Sequence, residues 1–566
     1  MTHVRTRSRV ARRAGKHRCN GECLVCILKH PFPKEETLAL SALPRRENPW
    51  IDLPARRDDV VFDEGVLRLV HDDTTPDAAR TADLLLIADA FDEAGVRTLL
   101  IRHDLHTPAL AIDLADAERA AVALRALGQR EPLYLKAKGA APVFAVDAVI
   151  PDSVPHAVRA YRPRVSAAGG RRYDHEYGVR VEFWRFGETS VEAPQANALM
   201  RRITPSQDVT IVTAARYGRE WRTVAGMLDS HPREVTHDID MVFSWVDGSA
   251  SEFQRQRAAQ LSEYVVGEGD DGPARYRHVD ELRYALRSVH MYAPWVRRIF
   301  IATDSPAPAW LADHPKVTIV RSEEFFADPT TLPTHNSHAV ESQLHRIEGL
   351  AEHFLYSNDD MFFGRPVHPE LFFSPGGISS FVECDVRIGA GDPRLDRSGH
   401  DNGLRVNRAL LEERFGRVIV RDLEHCAAPL RRSVMRELEE TFPDDFRRTA
   451  ASRFRAATDI SVTNSLYHYY AMFTGRALPT AVPRTRYVQT TLARSLAGME
   501  RLAKRRDIDM FCLNDGGETE VPEEIRVASL RDVLERMFPI RAPWEIPAVS
   551  EGRARGASAA RSGAKR

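Results

Sequence analysis

Apolar and polar positions change their spacing along the chain, and those changes divide it. From about Val60, strand-like apolar runs trade places with helix-spaced ones. Ala82 to Ala94 read as a helix that Gly95 stops, because glycine readily takes the left-handed conformation at a helix end. Val96 to Arg102 then read as a strand, and the runs 133–135, 143–146 and 179–186 continue the alternation. This pattern predicts a smaller α/β accessory domain over residues 59–235, with no catalytic signature inside it.

A second alternation begins at Asp238 to Gly248, an apolar strand ending in Trp245, Asp247 and Gly248. Leu282, Leu286, Val289 and Ala293 then recur at helical spacing, with acids in the first turn and Pro294 closing the run. Strands follow at Val296–Asp304 and Lys316–Val320, then a helix that includes Ala339 to Leu350, then the apolar stretch Phe354 to Gly364. Such alternation favours a parallel sheet. The expected fold class is therefore α/β: a Rossmann-like, mostly parallel catalytic core with helical insertions, spanning residues 236–375 and 376–546. Ligands of such sheets bind at the carboxyl ends of the strands. Here three strands end in an acid, Asp247, Asp304 and Asp359, and the sheet would bring them to one rim.

The charge adds little to this picture except at the ends. Formal net charge is -1, so no overall basicity points to nucleic acid. Arginines and lysines crowd residues 1–18 and 551–566, which predicts disordered basic tails at 1–58, with a linker, and at 547–566. Such tails can touch an anionic membrane surface peripherally. No apolar run reaches the roughly 18 residues of a membrane span, and no apolar signal region follows the basic start, so a cytoplasmic protein is expected. Six cysteines in 566 residues make no disulfide framework. Cys19, Cys23 and Cys26 are spaced C-x3-C-x2-C near His17 and His30, a spacing that permits a small Zn2+ site.

Candidate chemistry concentrates in the second half. Asn358, Asp359 and Asp360 interrupt apolar runs, and desolvating adjacent carboxylates is costly unless a cation, donor or shared proton compensates. A metal or a reaction explains the pair; a strand-to-turn junction that uses Asn and Asp for its own backbone is the plainer reading. In the helix after Thr334-His-Asn-Ser337, His338, Glu341 and His345 share one face opposite the apolar Val340, Leu344 and Ile347. That face either points at one ligand or is solvated, with Glu341 pairing His345.

Several long blocks carry a resemblance: Asp240–Gly248, Arg275–Ser288, Leu332–Ile347, Phe354–Gly364, Gly399–Asn407, Glu424–Pro429, Arg453–Asp459 and Phe511–Asp515. In these the sequence resembles the Stealth family of sugar-1-phosphate transferases, across all four of its signature regions. The resemblance spans roughly residues 238 to 545. It implies transfer of a hexose 1-phosphate from a UDP-sugar donor to a hydroxyl of a glycan or lipid-linked glycan acceptor, with release of UMP. It also implies Mg2+ or Mn2+, because a diphosphate needs a cation held by carboxylates and arginines to grip it. By resemblance Asp360 serves mainly the metal, Asp359 serves the metal or orients the nucleophile, and His425 is the catalytic histidine. Arg405 and Arg455 clamp the diphosphate, Glu341 supports the metal, and Asn358 positions. Trp245, Asp247 and Gly248 are expected near the uridine, with Asn336, His338 and Asn407 completing the substrate-binding set. Cys426-Ala-Ala-Pro429 departs from the family pattern next to His425.

Two other readings compete. A metal-dependent glycosyltransferase releasing UDP would use Asp238-Ile-Asp240 or Asp507-Ile-Asp509, but the first precedes its strand where a ligand motif should follow one. A non-catalytic carbohydrate-binding module would have no use for the acid, base and cation set together.

Overall fold

The computed structural model describes residues 48–71, 73–148, 156–167, 171–248, 255, 279–515 and 519–547. Both basic tails and the Cys19, Cys23 and Cys26 cluster lie outside the described residues.

The N-terminal part opens with α1 (Pro49–Arg56) where a linker was expected. Its Trp50 ring lies 6.3 Å from the Tyr134 ring and 4.8 Å from the Phe144 ring, and Leu53 is buried, so apolar docking outweighs the proline- and arginine-rich composition. Helix α2 (Pro76–Glu93) starts with Thr75 accepting the Ala78 N–H and ends before Gly95, whose φ of +67° is the left-handed stop read from the sequence. The strands are β1 (Thr98–Arg102) and β2 (Pro108–Asp113), then, after α3 (Ala117–Gly128), β3 (Tyr134–Ala137), β4 (Ala157–Tyr161) and β5 (Val179–Phe186). Strand β5 lies between β2, which is parallel to it, and β4, which is antiparallel. Helices α2 and α3 bury Leu84, Ile87, Phe91, Leu124 and Leu127 against this mixed sheet.

The core sheet is built from β6 (Ile239–Ser244), then α4 (Glu281–Tyr292), β7 (Ile299–Ala302), β8 (Val317–Val320), α5 (Ser337–Gln343) and β9 (His353–Asn358). Strand β10 (Met361–Phe363) leaves the sheet, and after α6 (Gly399–Phe415) strand β11 (Ala428–Arg431) rejoins it. The order is β8-β7-β6-β9-β11, the first four parallel and β11 antiparallel to β9. The chain moves outward from β6 to β8 and returns to the other side of β6, so the order reverses between β6 and β9. Such a reversal is where an open α/β sheet leaves a crevice for a ligand.

Successive residues of β6 face different cores. Met241 and Phe243 meet Leu282, Leu286 and Val289 of α4 and Leu530 and Leu534 farther along the chain, while Val242 meets Phe354, Leu404 and Leu411. Burial on both faces explains why the strand is continuously apolar instead of alternating. A smaller sheet sets β13 (Met510–Asn514) between β10 and β12 (Thr485–Gln489), with Met361 opposite Cys512, and its Phe362 and Phe511 share a core with Leu530 and Leu534 of α7 (Glu523–Met537).

Helix α5 is shorter than expected. It gives way at Leu344 to a single tight turn ending at Arg346. The Arg432 guanidinium takes the carbonyls of His345 and Leu350, at 2.7 and 3.3 Å, so these acceptors find a side-chain donor instead of a further helical turn.

Candidate active site

The carboxyl ends of β6 and β9 are tied together at the reversal. Tyr356 Oη donates to Asn358 Oδ1 at 2.8 Å, and Ser244 Oγ lies 2.8 Å from Tyr356 Oη and 3.3 Å from Asn358 Oδ1. Asn358 thus fixes the edge from which the next two residues turn away.

Asp359 and Asp360 form that turn, between β9 and β10. The Asp360 backbone carbonyl accepts the Leu513 N–H at 2.9 Å, and the Cys512 thiol reaches its Oδ2 at 3.4 Å. Its Oδ1 is buried with no hydrogen-bond partner. Burial pushes the carboxyl up to about 6, the Cys512 contact opposing and the nearby Glu281 and Asp515 charges reinforcing the shift. Burial and the same carboxylate hold the Cys512 thiol well above its usual range.

His425 sits in the turn that leads into β11. Because β11 runs antiparallel to β9, with Ala428 opposite Tyr356, the turn before it lies on the same rim as Asp359 and Asp360. The His425 ring is 5.1 Å from Tyr487 and 6.0 Å from His400. Burial, with the positive influence of His400 and Arg455, pushes its pKa down to about 4 against the Asp422 charge. Near neutral pH the imidazole is therefore uncharged. His400 Nε2 lies 2.8 Å from Asp422 Oδ2, an arrangement that orients the second ring. A small cleft flanks the turn that carries His425, lined in part by Phe381, Glu424, Cys426, Asn464 and Pro483.

Helix α5 delivers the third group. Glu341 is 2 % exposed, accepts the Thr463 hydroxyl at 2.6 Å, and is pushed up by burial against the opposing Arg455 charge. Arg455 Nη2 donates to Ser337 Oγ at 2.8 Å. Its side chain passes over Gly399, where an added Cβ would stand 2.6 Å from the Arg455 Cβ and Cδ. Only glycine leaves room for that path. Arg455 acts on both Glu341 and His425, and Tyr487 faces His425 while sensing Asp360, so the three groups make one electrostatic neighbourhood.

The other expected residues are placed differently. Asn336 caps α5, accepting the His338 N–H at 3.1 Å and donating to Asp459 Oδ2 at 2.8 Å. Asn407 grips the Ser461 backbone through both ends of its amide. His338 is buried, with its Cε1 beside Gly403. Arg405 is paired with Asp401 one turn earlier and keeps a buried Nε without a partner. Trp245 is in the core; the Asp247 N–H donates to Ser305 Oγ at 2.9 Å and the Gly248 N–H to the Val246 carbonyl at 3.0 Å.

Asp304 follows the carboxyl end of β7, with its Oδ1 occupied by the Ser322 N–H at 2.8 Å at the start of a short helix. The expectations for the α5 face are corrected. His345 does not share a ligand with Glu341: beyond the end of α5 its Nε2 meets Glu439 Oε2 at 2.9 Å. Pairing of Glu341 with His345 on a solvated face is excluded by the same contacts. The D-x-D positions are also occupied, Asp240 by Arg297 at the opposite end of β6 and Asp509 by Arg365 and the Arg484 N–H.

Sequence reasoning passed over His400, Asp422, Tyr487, Cys512 and Asp515. His400, Cys512 and Asp515 lie inside blocks already singled out, and only long-range packing shows what they touch.

The fold is α/β, with a strand-order reversal at the rim that carries Asp359 and Asp360; its relatives give the class, a transferase. Models of Stealth protein conserved regions 2, 3 and 4 match residues 275–381, 424–472 and 500–555. An exopolysaccharide phosphotransferase, CpsY, of Mycobacterium tuberculosis is 52% identical over 493 residues, covering 86% of this chain and 92% of its own. An exopolysaccharide phosphotransferase of Nocardia farcinica is 53% identical over 467 residues (82% and 87%), and one of Streptomyces coelicolor 39% over 528 (88% and 94%). The chain belongs to the Stealth family. Among solved structures, the galactosyltransferase LgtC in complex with donor and acceptor sugar analogs matches 54% of this chain and 97% of its own, at 10% identity and a TM-score of 0.28, too remote to carry an argument. Among the described residues no helix is long and apolar enough to cross a membrane.

Proposed function

We propose that this chain transfers a hexose 1-phosphate from a UDP-sugar to a glycan hydroxyl, releasing UMP and leaving a phosphodiester in an exopolysaccharide. The observation that carries this reading is the gathering of Asp359–Asp360, His425 and the Arg455–Glu341 pair at one strand-order reversal, in a chain half identical to curated exopolysaccharide phosphotransferases.

His425 is the candidate general base. Its burial keeps it neutral and able to accept, and a diphosphate bound beside it would raise its proton affinity at the moment the acceptor arrives. The acceptor O–H gives its proton to His425, the oxygen bonds to the sugar-linked phosphorus, and the phosphorus–oxygen bond to UMP breaks, UMP leaving with the electron pair. Arg455, braced by Ser337 and Gly399, supplies positive charge to the phosphoryl oxygens. Tyr487 shields one face of the imidazole.

A divalent cation such as Mg2+ or Mn2+ fits the acid pair, since the buried Asp360 Oδ1 lacks any other partner. Among the described residues no three acids, histidines or cysteines are grouped to hold a metal, so Asp359 and Asp360 would hold it together with water or diphosphate oxygens, as Mg2+ commonly requires. Bound there, the ion would neutralise the diphosphate. The test is a chromatogram: UDP-sugars with glycan acceptors yield UMP, and His425→Ala reduces that release about a hundredfold or more while leaving the melting temperature unchanged. Release of UDP would instead establish glycosyl transfer.

A further inference from the structure

Far from the rim, where the N-terminal part meets the core, Arg171 is 3 % exposed and ringed by tyrosines. Its guanidinium carbon lies 5.2, 5.7 and 5.7 Å from the ring centres of Tyr173, Tyr177 and Tyr292. Nη2 donates to Tyr177 Oη at 2.7 Å and the guanidinium also faces the Tyr173 hydroxyl, but Arg171 Nε and the Tyr292 hydroxyl are buried with no hydrogen-bond partner. Arg506, half-buried, lies within electrostatic reach of Arg171 and the same tyrosines, its Nη1 and Nη2 on the carbonyls of Met537 and Arg536 at 3.3 and 2.7 Å. Burial and the neighbouring Arg171 charge push Arg506 down to about 10.

The rings offset part of the Arg171 charge and the carboxyl end of α7 offsets part of that on Arg506. Neither offers an acceptor to the orphaned N–H and O–H groups. Among the described residues no carboxylate pairs with either guanidinium. Burying a guanidinium without an acid is costly, and water would satisfy the hydrogens while leaving two positive charges facing each other. What the described residues here lack is an acceptor that is also an anion.

We propose that Arg171, Arg506, Tyr173 and Tyr292 bind a phosphoryl dianion, either free phosphate or the phosphate end of a sugar phosphate. Tetrahedral oxyanions suit paired guanidiniums and phenolic donors. The site is distinct from the transfer site: α4 begins at Glu281, beside Asp360, and Tyr292 lies eleven residues farther, about 16 Å along the helix. Because Arg171 comes from the N-terminal part and Tyr292 and Arg506 from the core, the occupant staples the two together.

The test is thermal melting of the full chain in inorganic phosphate, hexose 1-phosphate or chloride at matched ionic strength. Phosphate is expected to raise the melting temperature saturably in the wild type and in Arg455→Ala, which removes the rim guanidinium, but not in Arg171→Met. Tyr292→Phe keeps the ring and weakens phosphate about tenfold. Without phosphate, Arg171→Met melts no lower than the wild type, since it buries no lone cation. Tighter binding of hexose 1-phosphate identifies a sugar phosphate as the occupant; equal binding identifies free phosphate. Equal shifts in chloride overturn the proposal, as does a phosphate response unaltered in Arg171→Met and Tyr292→Phe; should Arg171→Met not fold, Tyr292→Phe alone decides.

Discussion

Two acids, one in the core sheet and one just past its rim, have opposite surroundings. Asp240, near the amino end of β6 and 0 % exposed, accepts from Arg297 Nε and Nη2 and from the N–H groups of Arg298 and Ala351. Asp360, past the carboxyl end of β9, has one thiol contact and an orphaned oxygen. The first is satisfied by the fold and serves it. The second is half-buried with one oxygen that no described residue satisfies, the place the proposed cation would fill.

Four measurements would break or sharpen that contrast. Asp360→Asn is expected to cut phosphotransfer by roughly a thousandfold with no loss of stability, because the amide removes charge the native fold does not compensate; near-normal turnover would make the acid pair structural. Asp240→Asn is expected to do the reverse, costing about 2 kcal/mol in denaturant titration because an amide NH2 would face donors that the carboxylate now satisfies, while Arg297 keeps Asp238 and the Gly349 carbonyl and the folded fraction keeps its turnover. His468 tests the interior away from the rim by pH. It is 1 % exposed, its Nε2 donates to the Thr463 carbonyl, and burial pushes its pKa down to about 4. Between about pH 6.5 and 4 the unfolded chain therefore binds the extra proton, so stability falls as pH falls. Between pH 7.5 and 5 the wild type should lose about 2 kcal/mol more than His468→Gln; an equal loss removes that contribution. Smallest is Gly399→Ala, whose methyl would displace Arg455 and lower turnover about tenfold with little change in melting.

Much of this arrangement was legible in the chain. The period of α4, the glycine that stops α2 and the acids that follow β6 and β9 all follow from local spacing. The carboxyl rim was legible too, since acids at the ends of parallel strands lie along it, but the strand order that reverses there was not. What was not legible depended on partners far away in sequence. Asn336 and Asn407 look like polar ligands, yet each is spent on backbone or side chains more than 50 residues distant. His345 shares a helical face with Glu341 on paper, but Arg432 captures the carbonyls that would have continued the helix. Trp50 made a helix of the expected linker by finding Tyr134 and Phe144.

One feature of the rim bears on how the protein is made. The turn carrying Asp359 and Asp360 is clamped from outside its own sheet, by Leu513 to the Asp360 carbonyl, Cys512 to its carboxylate, and β13 along β10. During synthesis all five strands of the core sheet leave the ribosome before that clamp does. A nascent chain that has reached β11 holds its histidine and its sheet but not a fixed acid pair, so competence arrives only when translation has passed about 150 residues beyond the acids themselves.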